Sequence, residues 1–137
     1  MTVGADGLGL ISYYDSTNDD LKVAHCSGIV CSSATITKLD SPVSVQHTSI
    51  TIGADGLGLI SYYDKTNHDL KVAHCSDAAC SSATSATLDS AGWVGEYTSV
   101  TIGADGLPLI SYFDDTNNDL KVAHCDNPLC TPYFRRR

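Results

Sequence analysis

The sequence predicts an all-β fold made of three repeated units, each with four antiparallel strands. The first observation is a repeat, because residues 103–125 recur nearly unchanged as residues 53–75 and 4–26. The second is the alternation of apolar and polar residues along short segments separated by Gly, Asp and Asn, the pattern of strands and turns. The third is that no segment has the start signals, stop signals or period of a helix.

The third copy shows the elements of one unit in order. Residues 98–103 alternate between polar and apolar side chains, which predicts a first strand. Residues 107–113 are apolar on both faces and predict a second strand, with 104–106 as the hairpin connection. Residues 120–125 predict a third strand, preceded by a polar turn over 114–119.

A fourth strand is predicted after the cysteines of the first two copies. Residues 33–39 and 82–88 are rich in threonine and suit an outer edge strand, where polar side chains meet water. Residues 40–45 and 89–95 are predicted loops to the next copy, while the third copy has only 131–135 for its outer strand. The predicted repeat units are therefore 1–47, 48–96 and 97–137, the last with a truncated outer strand and an arginine tail.

The spacing of the copies and the number of strands together indicate blades of a β-propeller. The copies recur about every fifty residues, as four-stranded propeller blades do. The segments Thr98-Ser-Val-Thr-Ile-Gly103, Ile110-Ser-Tyr112 and Asp119-Leu-Lys-Val-Ala123 resemble repeats of bacterial secreted β-propellers, whose blades are distantly similar to those of sialidases. The resemblance implies that the first strand lies innermost and the threonine-rich strand outermost.

Three blades are too few for a closed ring. A propeller usually has about four to eight blades, so three would leave two apolar blade faces in water. We therefore expect the chain to associate with copies of itself, as a homo-oligomeric ring or a fibre. Two chains would supply six blades, which we favour, three would supply nine, and a contact that does not close would give a filament.

The chain is acidic, with 8 Lys and Arg against 16 Asp and Glu, and its arginines stand together at 135–137. This charge repels phosphate backbones and anionic lipids, so neither nucleic acid nor membrane is an expected partner. No apolar run approaches the roughly 18 residues that span a bilayer. We recognise no signal peptide before the first repeat and predict no cofactor.

The six cysteines form three pairs of identical spacing, one in each repeat: Cys26 with Cys31, Cys75 with Cys80, and Cys125 with Cys130. An even number at a repeated spacing favours disulfides and an extracellular or cell-surface location. Without a signal peptide, that location requires either that the chain be a piece of a longer secreted protein or that it be exported by another route. An organism from a hot environment, whose cytoplasmic proteins also keep disulfides, is a third explanation.

A metal site is the alternative for the cysteines, because His25, His74 and His124 directly precede the first cysteine of each pair. One His and two Cys would supply three ligands for zinc. Neighbouring residues on a strand point to opposite faces, however, so His and Cys would not converge without a bulge. Disulfides are the favoured interpretation, and we expect the histidines to pack between blades.

Each repeat has a turn of the pattern Asp-x-Thr-Asn-x-Asp, which brings carboxylate and amide oxygens together: Asp15, Asn18 and Asp20; Asp64, Asn67 and Asp69; Asp114, Asn117 and Asp119. Such oxygens suit calcium or another ligand. The pattern lacks the central Gly and the distal Glu of an EF-hand loop. Polar turns also prefer Asp and Asn for backbone reasons, so we predict turns without a bound metal, with calcium as the alternative.

The resemblance to sialidase-type blades would imply an arginine cluster, a Tyr/Glu pair and an acidic Asp. No repeat contains an arginine and Glu96 is the only glutamate, so none of these catalytic residues carries over. Near-identical repeats also lack the different residues in different roles that an active site needs. We predict a non-enzymatic structural repeat protein whose blades assemble between chains.

A multivalent binding module for carbohydrate or protein is the alternative function. Equivalent loops on each blade would give several weak, identical sites whose avidity multiplies. Tyr62, Tyr63, Trp93 and Tyr97 are the candidate rings for stacking on sugars, although tyrosine within a strand also packs between blades.

Overall fold

The computed structural model of the protein describes residues 1–41 and 43–131. They form eleven strands in three antiparallel sheets. The all-β prediction is confirmed for this part of the chain, which contains no helix and therefore none long and apolar enough to cross a membrane.

The sheets follow one another along the chain and share one strand order. The first sheet runs β1 (Thr2–Val3), β2 (Gly9–Asp15), β3 (Asp20–Cys26) and β4 (Ala34–Asp40). The second runs β5 (Val45–Ile52), β6 (Gly58–Asp64), β7 (Asp69–Cys75) and β8 (Ala83–Asp89). The third has β9 (Val94–Ile102), β10 (Pro108–Asp114) and β11 (Asp119–His124). In each, neighbours in sequence are neighbours in space.

The predicted strands occur where the sequence pattern placed them, with their ends shifted by one to four residues. The threonine-rich outer strands β4 and β8 begin and end one residue later than predicted. Strands β5 and β9 begin at Val45 and Val94, so the last residues of the predicted loops 40–45 and 89–95 belong to strands. The predicted repeat boundaries at 47/48 and 96/97 fall inside these two strands. The predicted outer strand at 131–135 and the arginine tail lie, beyond Thr131, outside the described residues.

One tight turn recurs between the first two strands of each sheet. In the second sheet, the Gly53 N–H donates to the Leu57 carbonyl oxygen at 2.8 Å, and Asp55 Oδ1 accepts from the Leu57 N–H at 3.0 Å. Gly56 has φ of 80°, a left-handed conformation that glycine adopts without a Cβ clash. The Ala-Asp-Gly sequence thus fixes the hairpin.

The core lies between the sheets, which stack in chain order. A first apolar cluster joins the first and second sheets, with Leu10, Leu21 and Val23 on one side and Ile60 and Tyr62 on the other. A second cluster joins the second and third sheets: Leu59, Leu70 and Val72 against Val100, Ile110 and Tyr112. Neighbouring residues of β6 go to opposite clusters, as strand geometry requires, so all of β6 is buried.

Candidate functional site

The three predicted cysteine pairs are joined as disulfides. Their Cα atoms lie 4.9 Å apart in Cys26–Cys31, 4.8 Å in Cys75–Cys80 and 4.9 Å in Cys125–Cys130. Cys31 and Cys80 stand in the loops before β4 and β8, and the second cysteine of every pair has a left-handed backbone, such as φ of 54° at Cys80. Three disulfides within one chain are typical of extracellular proteins.

The histidines before these cysteines each lie within hydrogen-bonding distance of an aspartate. The Nε2 atoms of His25, His74 and His124 lie 2.8, 2.7 and 2.6 Å from Oδ2 of Asp6, Asp55 and Asp105, in the turns before β2, β6 and β10. Backbone and histidine hydrogen bonds lower the pKa of Asp6. Within the described residues, no three His, Cys, Asp or Glu side chains form a group that could hold a metal ion.

The polar turns are organised by their first aspartate. Asp64 Oδ1 accepts the backbone N–H groups of Thr66 and Asn67 at 2.9 and 3.1 Å, and its Oδ2 accepts Asn67 Nδ2 at 2.8 Å. Asp15 and Asp114 bond their own asparagines in the same way. These contacts account for the Asp and Asn residues as turn formers. Both oxygens of the first aspartate already accept hydrogen bonds.

The last aspartate of each turn begins the next strand and stands opposite the first aspartate in the strand register. Asp20, Asp69 and Asp119 are the first residues of β3, β7 and β11. Burial raises the pKa of Asp69, with the nearby charge of Asp64 adding to it. Asp20 is buried, and its Oδ1 has no hydrogen-bond partner within the described part of the chain.

A hydrogen-bonded clamp joins each sheet to the next, and sequence reasoning did not find it. Asp40, at the end of β4, accepts Tyr62 Oη at 2.6 Å and Lys71 Nζ at 2.8 Å from the second sheet. Burial and the bond to Asp40 raise the pKa of Tyr62 well above its usual range.

The same clamp recurs one sheet further on. Asp89, at the end of β8, accepts Tyr112 Oη at 2.7 Å and Lys121 Nζ at 2.5 Å from the third sheet. The first sheet is different: Lys22 bonds Asp15 of its own sheet, and Tyr13 has no hydrogen bond within residues 1–41 and 43–131. The aspartates sit where the sequence predicts loops, which is why their partners could not be foreseen.

Two sheet faces are open within residues 1–41 and 43–131, and each has packed equivalents in the other sheets. The open face of the third sheet carries Leu109, Leu120 and Val122, with Leu120 76% exposed and Val122 58% exposed. The equivalent residues of the first two sheets are fully buried: Leu10, Leu21 and Val23 in the first, and Leu59, Leu70 and Val72 in the second. The open face of the first sheet carries Ile11, Tyr13 and Ala24, whose equivalents are buried at Ile60, Tyr62 and Ala73.

Aromatic rings form a continuous row across one end of the second and third sheets: Trp93, His68, Tyr63, His47, Tyr97 and Phe113. Of the four rings proposed from sequence to stack on sugars, Tyr62 and Tyr63 are buried, while Trp93 and Tyr97 are exposed. The sequence could name these residues but could not separate the buried pair from the exposed pair.

Comparison with protein-family models gave no match to this chain, and comparison with curated proteins gave none either. The internal repeat is therefore the basis for relating the geometry to a function.

Proposed function

We propose that this chain is a non-enzymatic structural protein whose sheets act as propeller blades and join those of further copies into a ring or a filament. The carrying observation is that three apolar positions are buried in the first two sheets, whereas in the third sheet Leu120 and Val122 are exposed and Leu109 is half-buried. A surface that twice packs against a following sheet supports a third contact of the same kind. The occupant is the open face of the first sheet of a second copy.

The two open faces complement each other because the repeat already pairs their equivalents. Inside the chain, Leu59 and Leu70 pack in one cluster with Ile110 and Tyr112. Between chains, Leu109 and Leu120 would meet Ile11 and Tyr13 in the same arrangement.

The energetics favour association. Burying a Leu, Ile or Val side chain contributes about 1.5–3 kcal/mol, and each contact would bury several from both faces. This gain opposes an association cost of about 4–15 kcal/mol. The open faces differ, so the contact is heterologous and either closes or continues as a fibre. A two-chain ring of six blades is our preferred assembly.

The proposal includes an extracellular or cell-surface location and no catalytic role. The disulfides support the location. The acidic charge disfavours nucleic acid and membranes as partners. For catalysis, equivalent positions repeat the same residues in the same contacts, and an active site needs different ones. A panel of fluorogenic glycosides tests this part, and turnover that one substitution in a repeat abolishes would contradict it.

Light scattering coupled to size-exclusion chromatography, at micromolar concentration, tests the assembly. We expect a mass of two chains, or of a larger multiple. Leu120→Glu and Ile11→Glu each place a charge on one open face, and each should give single chains. Ser90→Glu adds the same charge to an exposed loop between the second and third sheets and should keep the wild-type mass.

Mixing the two face variants tests the heterologous contact itself. Each retains one intact face, and these two faces are complementary, so an equimolar mixture should form a two-chain species and nothing larger. A folded wild-type chain that stays a single chain would overturn the proposal. So would a mixture that remains single chains while the wild type assembles.

A further inference from the structure

The aromatic row contains two rings that are exposed to solvent. Trp93 is 54% exposed and Tyr97 is 67% exposed. Each lies against a histidine: Trp93 stacks on His68 with centroids 4.3 Å apart and planes 15° apart, and Tyr97 lies 4.3 Å from His47. Exposed aromatic surface of this extent on an otherwise polar end of the sheets points to a binding surface.

The backbone holds Tyr97 in a conformation that bulky residues rarely adopt. Its φ is 52°, at a bulge where the register between β9 and β10 shifts. The next residue, Thr98, is buried and donates to Ser61 Oγ, which fixes the bulge against the second sheet. A strained residue that the surrounding structure maintains is found most often at binding and active sites.

The backbone of Trp93 is also fixed by two hydrogen bonds. Its N–H donates to Thr116 Oγ1 at 2.8 Å, and its carbonyl oxygen accepts the Asp115 N–H at 2.9 Å. These contacts attach the loop before β9 to the turn between β10 and β11. The ring is therefore placed before any ligand arrives, which lowers the ordering cost of binding.

The row lies where the otherwise near-identical repeats differ. Trp93 replaces Ser44, which makes the same backbone contact to the following turn in the preceding junction. His68 stands at the position of Asp19 in the first copy, and Tyr97 at that of His47. Since the junction between the first and second sheets lacks the tryptophan, the complete row occurs once within the described residues.

We propose that Trp93 and Tyr97 form a binding site for a neutral oligosaccharide, with pyranose rings stacked on the two exposed aromatic faces. The apolar C–H face of a sugar ring suits flat aromatic surfaces, while its hydroxyls donate to nearby carboxylates. Burial raises the pKa of the Tyr63 hydroxyl within the row, and the nearby negative charges of Glu96 and Asp115 raise it further. Their negative charge disfavours an acidic sugar, and the length of the row across two sheets favours several sugar units over one.

Trp93 is the only tryptophan of the chain, so its fluorescence reports directly on the site. We would titrate the full chain with neutral oligosaccharides of glucose, xylose, mannose and galactose. Sialyllactose tests for an acidic sugar, and tetramethylammonium tests for a quaternary cation, the other ligand that exposed aromatic rings bind. At least one neutral oligosaccharide should change the emission in a saturable way. Neither sialyllactose nor tetramethylammonium should do so.

Variants separate the aromatic platform from other effects. Tyr97→Ala keeps the reporter and should weaken binding by about tenfold or more. By calorimetry, Trp93→Ala should lose a similar factor, whereas Trp93→Phe should stay within about threefold of the wild type. Leu129→Ala, at an exposed apolar side chain outside the row, should bind as the wild type does.

The same titration in Leu120→Glu distinguishes this site from the proposed assembly, because the row needs no second chain. Circular dichroism confirms that each variant is folded. The proposal is overturned if no neutral oligosaccharide gives a saturable change, if Tyr97→Ala binds as tightly as the wild type, or if tetramethylammonium is the only ligand that binds.

Discussion

At the residue scale, one buried hydroxyl links two sheets. Tyr62 is fully buried and donates a hydrogen bond from its hydroxyl to Asp40, the carboxylate that also accepts one from Lys71. Asp40 is only half-buried, so a carboxylate that loses this donor is partly re-solvated and the cost is that of about one hydrogen bond to a charged group. The repeat supplies a natural comparison, because Tyr13 occupies the same position on the open face.

We therefore expect Tyr62→Phe to lower the free energy of unfolding by about 1–2 kcal/mol. Tyr13→Phe, the matched control, removes a hydroxyl that has no partner within the described residues and should change it by less than about 0.5 kcal/mol. Urea denaturation of both variants measures the difference. Equal losses would mean that the clamp does not stabilise the junction.

A second residue-scale prediction concerns acid. Burial raises the pKa of Asp89, but hydrogen bonds from Lys121, Ala91 and Tyr112 outweigh burial and leave it below 3.8. A lowered pKa gives stability that is present above the unfolded value and is lost as the pH falls through the folded value. Wild type should thus lose more stability than Asp89→Asn when the pH falls below 3.8. Parallel curves of unfolding free energy against pH would contradict this assignment.

At the element scale, β9 depends on a glycine that no side chain can replace. Gly95 has φ of 109°, and a Cβ built there would lie 2.8 Å from Leu70 Cα in β7. Backbone cannot move aside as a flexible side chain can. The close approach lets β9 begin at Val94 and cover Leu70.

Gly95→Ala should accordingly destabilise the protein by about 1–3 kcal/mol or more, from the left-handed backbone and the clash together. Gly28→Ala is the control, because nothing lies within 4 Å of a Cβ at that loop position. Thermal unfolding at fixed concentration compares them. A Gly95→Ala protein as stable as Gly28→Ala would show that β9 and β7 can separate at little cost.

Most strands could be predicted from the sequence, whereas the start of β9 and the contacts between sheets could not. Alternation and the repeat place β4, β8 and β10 to within a residue, because period and turn residues are local properties. The early start of β9 depends on the approach of Gly95 to another strand, which sequence near Trp93 does not reveal. The repeated spacing of the cysteines favours the disulfides, but leaves a zinc site as the alternative. The clamp of Asp40 with Lys71 joins two repeats, and it requires knowing which faces stack.

At the scale of the whole molecule, the second sheet shows the packing that the first and third sheets would gain in an assembly. It is packed on both sides, and its strand β6 is completely buried. The first and third sheets each have one packed face and one open face. If the open faces join, the stability of every chain becomes linked to concentration, since association adds to the folded state alone.

We expect the melting temperature of the wild type to fall on dilution. For a two-chain assembly, a hundredfold dilution removes about 1.4 kcal/mol per chain, which corresponds to about 5 °C in a domain of this size. Leu120→Glu, which should not associate, should melt at one temperature over the same range and below the concentrated wild type. Ser90→Glu should keep the wild-type slope, because it adds an equal charge away from both open faces. Suppose that the wild type scatters light as a multimer, yet its melting temperature does not change over a hundredfold dilution. Association would then not be linked to folding, and the contacts would form equally well between unfolded chains.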